Sequence, residues 1–251
     1  MKEFKNIVYT VEEGAAWIRL NRPDALNAFS TEFYREVRYA IRMADLDPNI
    51  DVVVLTGTGR AFATGGDLKE LLDCLESDDP LSMMPFQDDT PMKALRDADL
   101  TIVAAINGIC IAGGLIISGL CDICIAAESA TFGLPEARWG LAEALSVSVL
   151  YPHVGLHRLK YMAFTSKNLT AVEAERFGLV NEVVPDVKLL ERTREVVKDI
   201  QKTDPGARAT YRRYFDRIAP PTNFTAAIGP NMDRSRLQAF ATRARNPSGK
   251  A

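Results

Sequence analysis

The sequence predicts an α/β protein with a mostly parallel sheet, and three observations carry that expectation. Strand-like and helix-like segments alternate along most of the chain. Two apolar runs, residues 51–56 (DVVVLT) and 101–106 (TIVAAI), lack polar alternation, as strands covered on both faces do. Each run is followed by a glycine pair that opens a helical pattern, Gly65-Gly66 in the first case and Gly113-Gly114 in the second.

Taken in order, residues 6–11 and 15–20 read as two short β runs hinged at Glu13-Gly14. The segment LNRPDALNAFS follows, with Pro23 and Asn27 favouring turns, and Ser30 or Thr31 can cap a helix running to about residue 44. Phe33, Val37, Ala40, Ile41 and Ala44 recur there at helical spacing. The run at 51–56 ends in Gly57-Thr58-Gly59, and a GxG after a strand invites a dinucleotide-binding reading. That reading fails, because the third glycine position is Phe62 and residues 60–63 keep any helix from starting directly. A GxxxxGK[ST] phosphate loop is absent as well.

The helix after Gly65-Gly66 is expected to run to about residue 75, with Asp67 in its first turn suiting the helix dipole. Residues 77–90, acidic and containing Pro and Met, read as a mobile lid or insertion over a pocket. After the second glycine pair and its helix, a strand over 122–126 leads through Thr131-Phe132-Gly133 to Pro135-Glu136, a carboxylate in apolar company. Further on, Thr170 to Glu173 form a capping box, the helix stops at Gly178, and residues 179–185 read as a short strand. Three helical segments are expected beyond 187, the last over 234–245, with Pro205 and Pro220-Pro221 as breaks.

The bounds on function come from composition. A chain of 251 residues can bury a sizeable core, and 47% hydrophobic with 25% charged residues is ordinary for a globular protein. With 30 basic against 33 acidic side chains, the net charge of −3 provides no global field for nucleic acid, so any phosphate binding must be local. No run reaches the length of a membrane span, and the charged start is unlike a signal peptide; a cytoplasmic enzyme, or an imported and processed one, fits.

The chemistry is expected at the glycine corners. Two adjacent glycines leave backbone N–H groups uncovered by side chains, and the first N–H groups of a helix have no partner inside it. Two such corners converging on one oxygen would form an oxyanion hole. Other candidates carry less. Cys121 and Cys124 form a CxxC without a second pair for zinc, and read as small core residues. His153 and His157 have i, i+4 spacing, but Pro152 and Gly155 interrupt a helix there and the glutamate of HExxH is missing, so no metal is expected. Ser118 lies in AGGLIISG without a serine-centred elbow. Phe132 and Trp139 read as core or pocket wall.

The succession LNRPDALNAFS, AFATGGDLKE, AAINGICIAGG, CDICIAAESATFGLPEARWGL and LTAVEAERFGLVNEVVP resembles the crotonase superfamily of enoyl-CoA hydratases and isomerases from about residue 7 to 185. The resemblance implies a spiral of ββα units over residues 1–185 and a helical C-terminal region, 186–251, that takes part in oligomer packing and the CoA site. It also implies a homotrimer or dimer of trimers, and an acyl-CoA substrate, with coenzyme A part of the substrate and no separate cofactor. By the same resemblance Gly66 and Gly113 are the oxyanion donors. Lys69 lies near the adenosine end of CoA, Ala25, Ala63 and Asp67 belong to its path, and Arg243 or Arg245 reaches a phosphate; for each cation a solvated helix face is the competing reading.

Hydratases of this kind use two glutamates. Glu136 matches the second, whereas the first position is Ile116, which cannot transfer a proton. A single carboxylate suits double-bond isomerisation, decarboxylation or hydrolysis. Glu143 can replace the missing acid, since related dienoyl-CoA isomerases carry one in this loop about one residue further on; the competing reading is an exposed glutamate at a helix start. The sequence thus predicts an acyl-CoA enzyme of the hydratase/isomerase type with Glu136 as acid/base. A non-catalytic binding or scaffold homologue is the alternative of another class, and the absence of a basic stripe counts against nucleic acid as its ligand.

Overall fold

The computed structural model describes residues 3–76, 91–218, 239, 241–243 and 245. Two sheets organise the molecule. The larger has six strands in the order β1 (Ile7–Glu12), β2 (Ala15–Leu20), β3 (Val52–Gly57), β5 (Thr101–Ile106), β7 (Ile123–Ala127) and β10 (Glu182–Val184). Only the β1/β2 hairpin is antiparallel within it. The smaller holds β4 (Ala61–Ala63), β6 (Ile109–Ile111), β8 (Thr131–Gly133) and β9 (Leu169–Thr170), with β9 antiparallel.

Each winding of the chain gives one strand to each sheet: β3 then β4, β5 then β6, β7 then β8. This is the expected spiral of ββα units. The second strand of each winding is a three-residue element that periodicity does not reveal, so the expected device of strand, glycine pair and helix is strand, turn, short strand, corner and helix.

Helix α1 (Thr31–Asp45) starts at Ser30, whose Oγ accepts from Phe33 N at 3.2 Å, and buries the face sequence spacing assigned to it. Helices α2 (Leu68–Glu76), α3 (Pro91–Asp97) and α4 (Gly113–Gly119) follow. Helix α5 (Ala144–Thr165) tolerates Pro152 but breaks its dihedrals at Gly155 (φ 72°, ψ 166°), so an interruption falls where it was expected. Thr170 and Glu173 close a reciprocal capping box on α6 (Ala171–Phe177), which Gly178 ends in the left-handed conformation. Helices α7 (Leu189–Gln201) and α8 (Pro205–Ile218) complete the order. Within the expected helix at 234–245, residues 239, 241–243 and 245 are helical, while 77–90, read as a lid, lie outside the described residues.

The six-stranded sheet is covered on both faces, as its unalternating strands require. Ile18, Val53, Leu55, Ile102 and Ala104 face a core shared with α1 and α4, while Trp17, Val54, Val103 and Ile125 face α7 through Leu189, Val197 and Ile200. Full burial of each large side chain contributes roughly 1.5–3 kcal/mol. Helix α8 is tied to the N-terminal ends of the central strands β3, β5 and β7 by polar contacts. Arg208 pairs with Asp51 at 2.7 Å and donates to Thr101 Oγ1 and the Thr203 carbonyl, and Arg212 pairs with Asp122.

Two carboxamides fix the turns that lead to the smaller sheet. Asn27, fully buried, accepts from Arg22 N at 2.8 Å and donates to the carbonyls of Thr58 and Ala61. Asn107 accepts from Gly57 N at 2.9 Å and donates to the carbonyls of Gly59 and Ala61.

Candidate active site

The two glycine corners meet because β4 and β6 are parallel neighbours, with Ala61 opposite Ile109 and Ala63 opposite Cys110. Gly65 has φ +88°, and a Cβ there would lie 2.7 Å from Ala112 Cβ and 3.0 Å from Gly113 N. A Cβ on Gly113 would lie 3.2 Å from Gly65 Cα, and one on Gly114 would overlap the Ala63 carbonyl. The corners are thus in backbone-to-backbone contact, which only glycine permits.

Gly66 differs from its neighbours: it is exposed, and a Cβ there would meet open space rather than packing. Phe29 N donates to Gly65 O at 2.7 Å and Asp67 N to Phe29 O at 2.9 Å, which leaves the Gly66 N–H outside that bridge. Gly113 supplies the first N–H of α4 and is preceded by Ala112 at φ 51°, ψ −128°. Holding a non-glycine residue there costs about 1–3 kcal/mol, and the fold over-determines it through the Ala112 N–H to Gly133 O bond at 3.0 Å.

The next winding brings the acids. β8 lies beside β6, and three residues after it a 3-10 turn begins at Glu136 (Glu136–Trp139) and closes at Gly140 with φ +77°. Glu143 then occupies the N-cap position of α5 without making a side-chain cap bond. Neither acid is fully exposed. Burial raises Glu136 above the usual carboxylate range. Burial and then the Glu136 charge push Glu143 up to about 8, the Ser146 N–H offsetting part of this. Pushed up that far, the Glu143 carboxyl is chiefly protonated near neutral pH.

The remaining expected residues fall in three groups. Asp67 is not in the first turn of α2 but before it, where Oδ1 accepts from Lys69 N and Glu70 N and Oδ2 pairs with Arg22 at 2.9 Å. Its carboxylate is therefore engaged in holding the corner. Lys69 is exposed, Ala25 half-buried at the end of a 3-10 turn, and Ala63 fully buried against Gly114. Ile116, at 1% exposure, is part of the main core. Trp139 is half-buried in the turn that starts at Glu136, and the Arg243 guanidinium packs against Gly140 in the same turn, while Arg245 is exposed.

Cys121 and Cys124 are buried core thiols with raised pKa values caused first by burial. Ser118 is buried and donates to Leu115 O, and His153 Nε2 contacts Gly119 O at 2.9 Å. Among the described residues no group of three His, Cys, Asp or Glu side chains can hold a metal ion, and no helix is long and apolar enough to cross a membrane.

One polar residue of the site escapes a reading by sequence. Tyr34 of α1 points its Oη at the corner, 3.5 Å from where a Cβ on Gly113 would be, and its ring stacks on Phe29 at 4.8 Å and 11°. Helical spacing makes position 34 a neighbour of the apolar face and nothing more; the approach to Gly113 is tertiary.

Residues 10–232 match the family model for enoyl-CoA hydratase/isomerase. The chain is 32% identical over 218 residues to the hydroxycinnamoyl-CoA hydratase-lyase of Pseudomonas fluorescens, covering 85% of this chain and 79% of that one. It is also 32% identical to the short-chain-enoyl-CoA hydratase of Clostridium acetobutylicum, covering 82% and 78%. A solved enoyl-CoA hydratase/isomerase from Xanthobacter autotrophicus superposes with a TM-score of 0.83 at 28% identity, over 97% of this chain and 94% of the other. The two-sheet spiral is thus of the crotonase class. The chain belongs to the enoyl-CoA hydratase/isomerase family. It is an acyl-CoA-processing enzyme, a lyase or isomerase.

Proposed function

We propose that the enzyme interconverts a 2-enoyl-CoA and a 3-hydroxyacyl-CoA, with the Gly66 and Gly113 N–H groups polarising the thioester carbonyl and Glu136 and Glu143 moving the protons. The observation that carries this reading is the presence of two half-buried acids in one winding, Glu136 opening the 3-10 turn and Glu143 at the N-cap of α5, both carboxyls raised by burial. In the dehydrating direction, ionised Glu136 takes the proton from C2 and the electron pair moves onto the thioester oxygen. One main-chain donor at such an oxygen is typically worth about 3 kcal/mol of barrier. On collapse of the enolate the C3–O bond breaks, and the hydroxyl leaves as water with the proton of Glu143. Hydration is the reverse.

A second reading, double-bond isomerisation by Glu136 alone, is favoured by Ile116, an apolar side chain where related hydratases carry a glutamate. Decarboxylation and hydrolysis of an acyl-CoA belong with it as one-carboxylate chemistries. Crotonyl-CoA hydration by wild type, Glu143→Gln and Ile116→Glu separates the two. The paired-acid reading expects a fast wild type that loses at least about 100-fold on Glu143→Gln. A slow wild type, insensitive to Glu143→Gln and improved by Ile116→Glu, would overturn it in favour of isomerisation.

Coenzyme A enters this reading as part of the substrate, with Lys69, Ala25 and Ala63 along its path and Arg243 or Arg245 near a phosphate. Assembly as a homotrimer or a dimer of trimers is supported by exposed aromatic side chains on α5 and α8, among them Phe164, Tyr211 and Phe215. A cytoplasmic setting is supported by the free, buried thiols of Cys110, Cys121 and Cys124.

A further inference from the structure

The peptide unit carrying the Gly66 N–H has little of its own to hold it. It joins two glycines, Gly65 at φ +88° and Gly66, where a Cβ would meet open space, so no side chain of either packs it in place. Gly66 also precedes α2, which starts at Leu68, so helix bonds do not fix it. The other corner differs: the peptide unit carrying the Gly113 N–H is fixed by α4 itself, Leu115 N and Ile116 N donating to Ala112 O at 2.9 and 3.1 Å.

What holds the first corner comes from the loop before α1, and it begins at Arg22. Arg22 and Asn27 face each other across this loop, Asn27 N donating to Arg22 O at 2.9 Å and Arg22 N to Asn27 Oδ1 at 2.8 Å. The guanidinium is turned back onto the far end of the loop, where Nη1 donates to Ala28 O at 2.6 Å and Nη2 to Asp67 Oδ2 at 2.9 Å. In a trans peptide the C=O and the N–H point in opposite directions. The unit whose Ala28 carbonyl receives Arg22 therefore turns the Phe29 N–H the other way, and this N–H donates to Gly65 O at 2.7 Å. The next unit repeats the step, because the Gly65 carbonyl and the Gly66 N–H belong to one peptide. A cation thus stands at the head of two hydrogen-bonded peptide units whose donors all run one way, and the Gly66 N–H is the last donor.

Each link strengthens the next, since hydrogen bonds in a chain polarise one another. Arg22 has a second effect. Asp67 follows Gly66 directly, and its carboxylate alone would oppose negative charge on an oxygen at the Gly66 N–H; the guanidinium at 2.9 Å offsets it.

We infer that Arg22 is a positioning residue for the reaction: through the Ala28–Phe29 and Gly65–Gly66 peptides it aims and polarises the Gly66 N–H without touching the substrate. The inference rests on the reading given above, in which that N–H donates to the thioester oxygen. No proton moves along the chain; it fixes the direction and strength of one main-chain donor.

The test reads the thioester carbonyl itself. Infrared difference spectra are taken of butyryl-CoA, isotope-labelled at that carbonyl, bound to wild type, Arg22→Lys and Arg22→Gln; hydrogen bonds to the oxygen lower its stretching frequency. Exchange of the C2 protons in D₂O, CoA affinity and the melting temperature are measured on the same proteins. The downshift is expected to be largest in wild type, smaller in Arg22→Lys, whose ammonium is not a fork, and smallest in Arg22→Gln, which has no charge. Exchange should be about 10-fold slower in Arg22→Gln, with CoA affinity within about twofold of wild type. A wild-type downshift in Arg22→Gln would overturn the inference. So would equal losses in both variants that track falling CoA affinity and melting temperature, because Arg22 would then be general support of the loop. Should Arg22→Gln not fold, Arg22→Lys decides alone: a downshift equal to wild type overturns the inference, and a smaller one at unchanged CoA affinity supports it. No downshift in wild type would instead refute the donor role of the Gly66 corner, whatever Arg22 does.

Discussion

Replacing Glu143 by glutamine should flatten the dependence of stability on pH. In the folded protein this carboxyl titrates at about 8 instead of 4.5. The folded state therefore binds its proton more tightly than the unfolded chain does, so the contribution to stability is fully present below pH 4.5 and is lost as pH rises through about 8. At about 1.4 kcal/mol per pH unit the gap sets a ceiling of about 5 kcal/mol. Water still reaches part of the side chain, so an effect of about 2 kcal/mol is expected. Urea denaturation at pH 5.5 and pH 8.5 measures it. Wild type should lose about 2 kcal/mol more than Glu143→Gln between the two pH values, and at pH 8.5 the variant should be the more stable protein. Glu136 contributes with the same sign in both proteins, so the difference reports Glu143 and its coupling to Glu136. Parallel stability curves would mean that Glu143 ionises as freely as in water, and its role as the protonated acid would fail with them.

Two further expectations concern parts of the fold that serve the site. Gly114→Ala pushes a methyl into the Ala63 carbonyl, a main-chain atom that cannot step aside, and should cost about 1–3 kcal/mol in denaturant midpoint together with a loss of turnover. Arg208→Ala removes the pair with Asp51 and the bonds to Thr101 and Thr203, and should lower stability by about 2 kcal/mol while kcat on crotonyl-CoA stays at the wild-type value. A fall in kcat would show that the α8 tie reaches the corner.

The parts of this fold that were legible in the sequence are those set by local chemistry. Ser30 and the period of Phe33, Val37 and Ala40 mark α1, and Thr170 with Glu173 mark α6, because capping and amphipathicity act within a few residues. The strands at 52–57 and 101–106 announce two-sided burial through composition. Strands β4, β6 and β8 were not legible, since three residues carry no period and their pairing joins windings tens of residues apart. Glu36 reads as an ordinary polar helix position but is buried, where its carboxylate receives Lys5 N at 2.8 Å and Asn6 N at 2.7 Å. Asp67 suits a first helical turn by the dipole argument, but it is the cap, a role aspartate's Oδ1 takes locally toward Lys69 N and Glu70 N; the Arg22 partner, 45 positions away on Oδ2, was not legible. Within the site, the glycines were legible because a conformational demand points to that residue type. Tyr34 was not, because its meaning depends on what the Phe29 bridge places opposite it.

The Asn107 carboxamide has a consequence for how the protein ages. Asparagine followed by glycine is the sequence most prone to spontaneous deamidation, in which the next main-chain nitrogen attacks the side-chain carbonyl to close a succinimide ring. Here that carbonyl accepts from Gly57 N, the amide nitrogen is held by the carbonyls of Gly59 and Ala61, and Gly108 is pressed so closely on the Arg60 carbonyl that a Cβ would overlap it. Ring closure must wait until this turn opens. The rate at which stored protein gains the mass of one deamidation at Asn107 is therefore a clock for opening of the spiral between β5 and β6, and it runs without any substrate or probe.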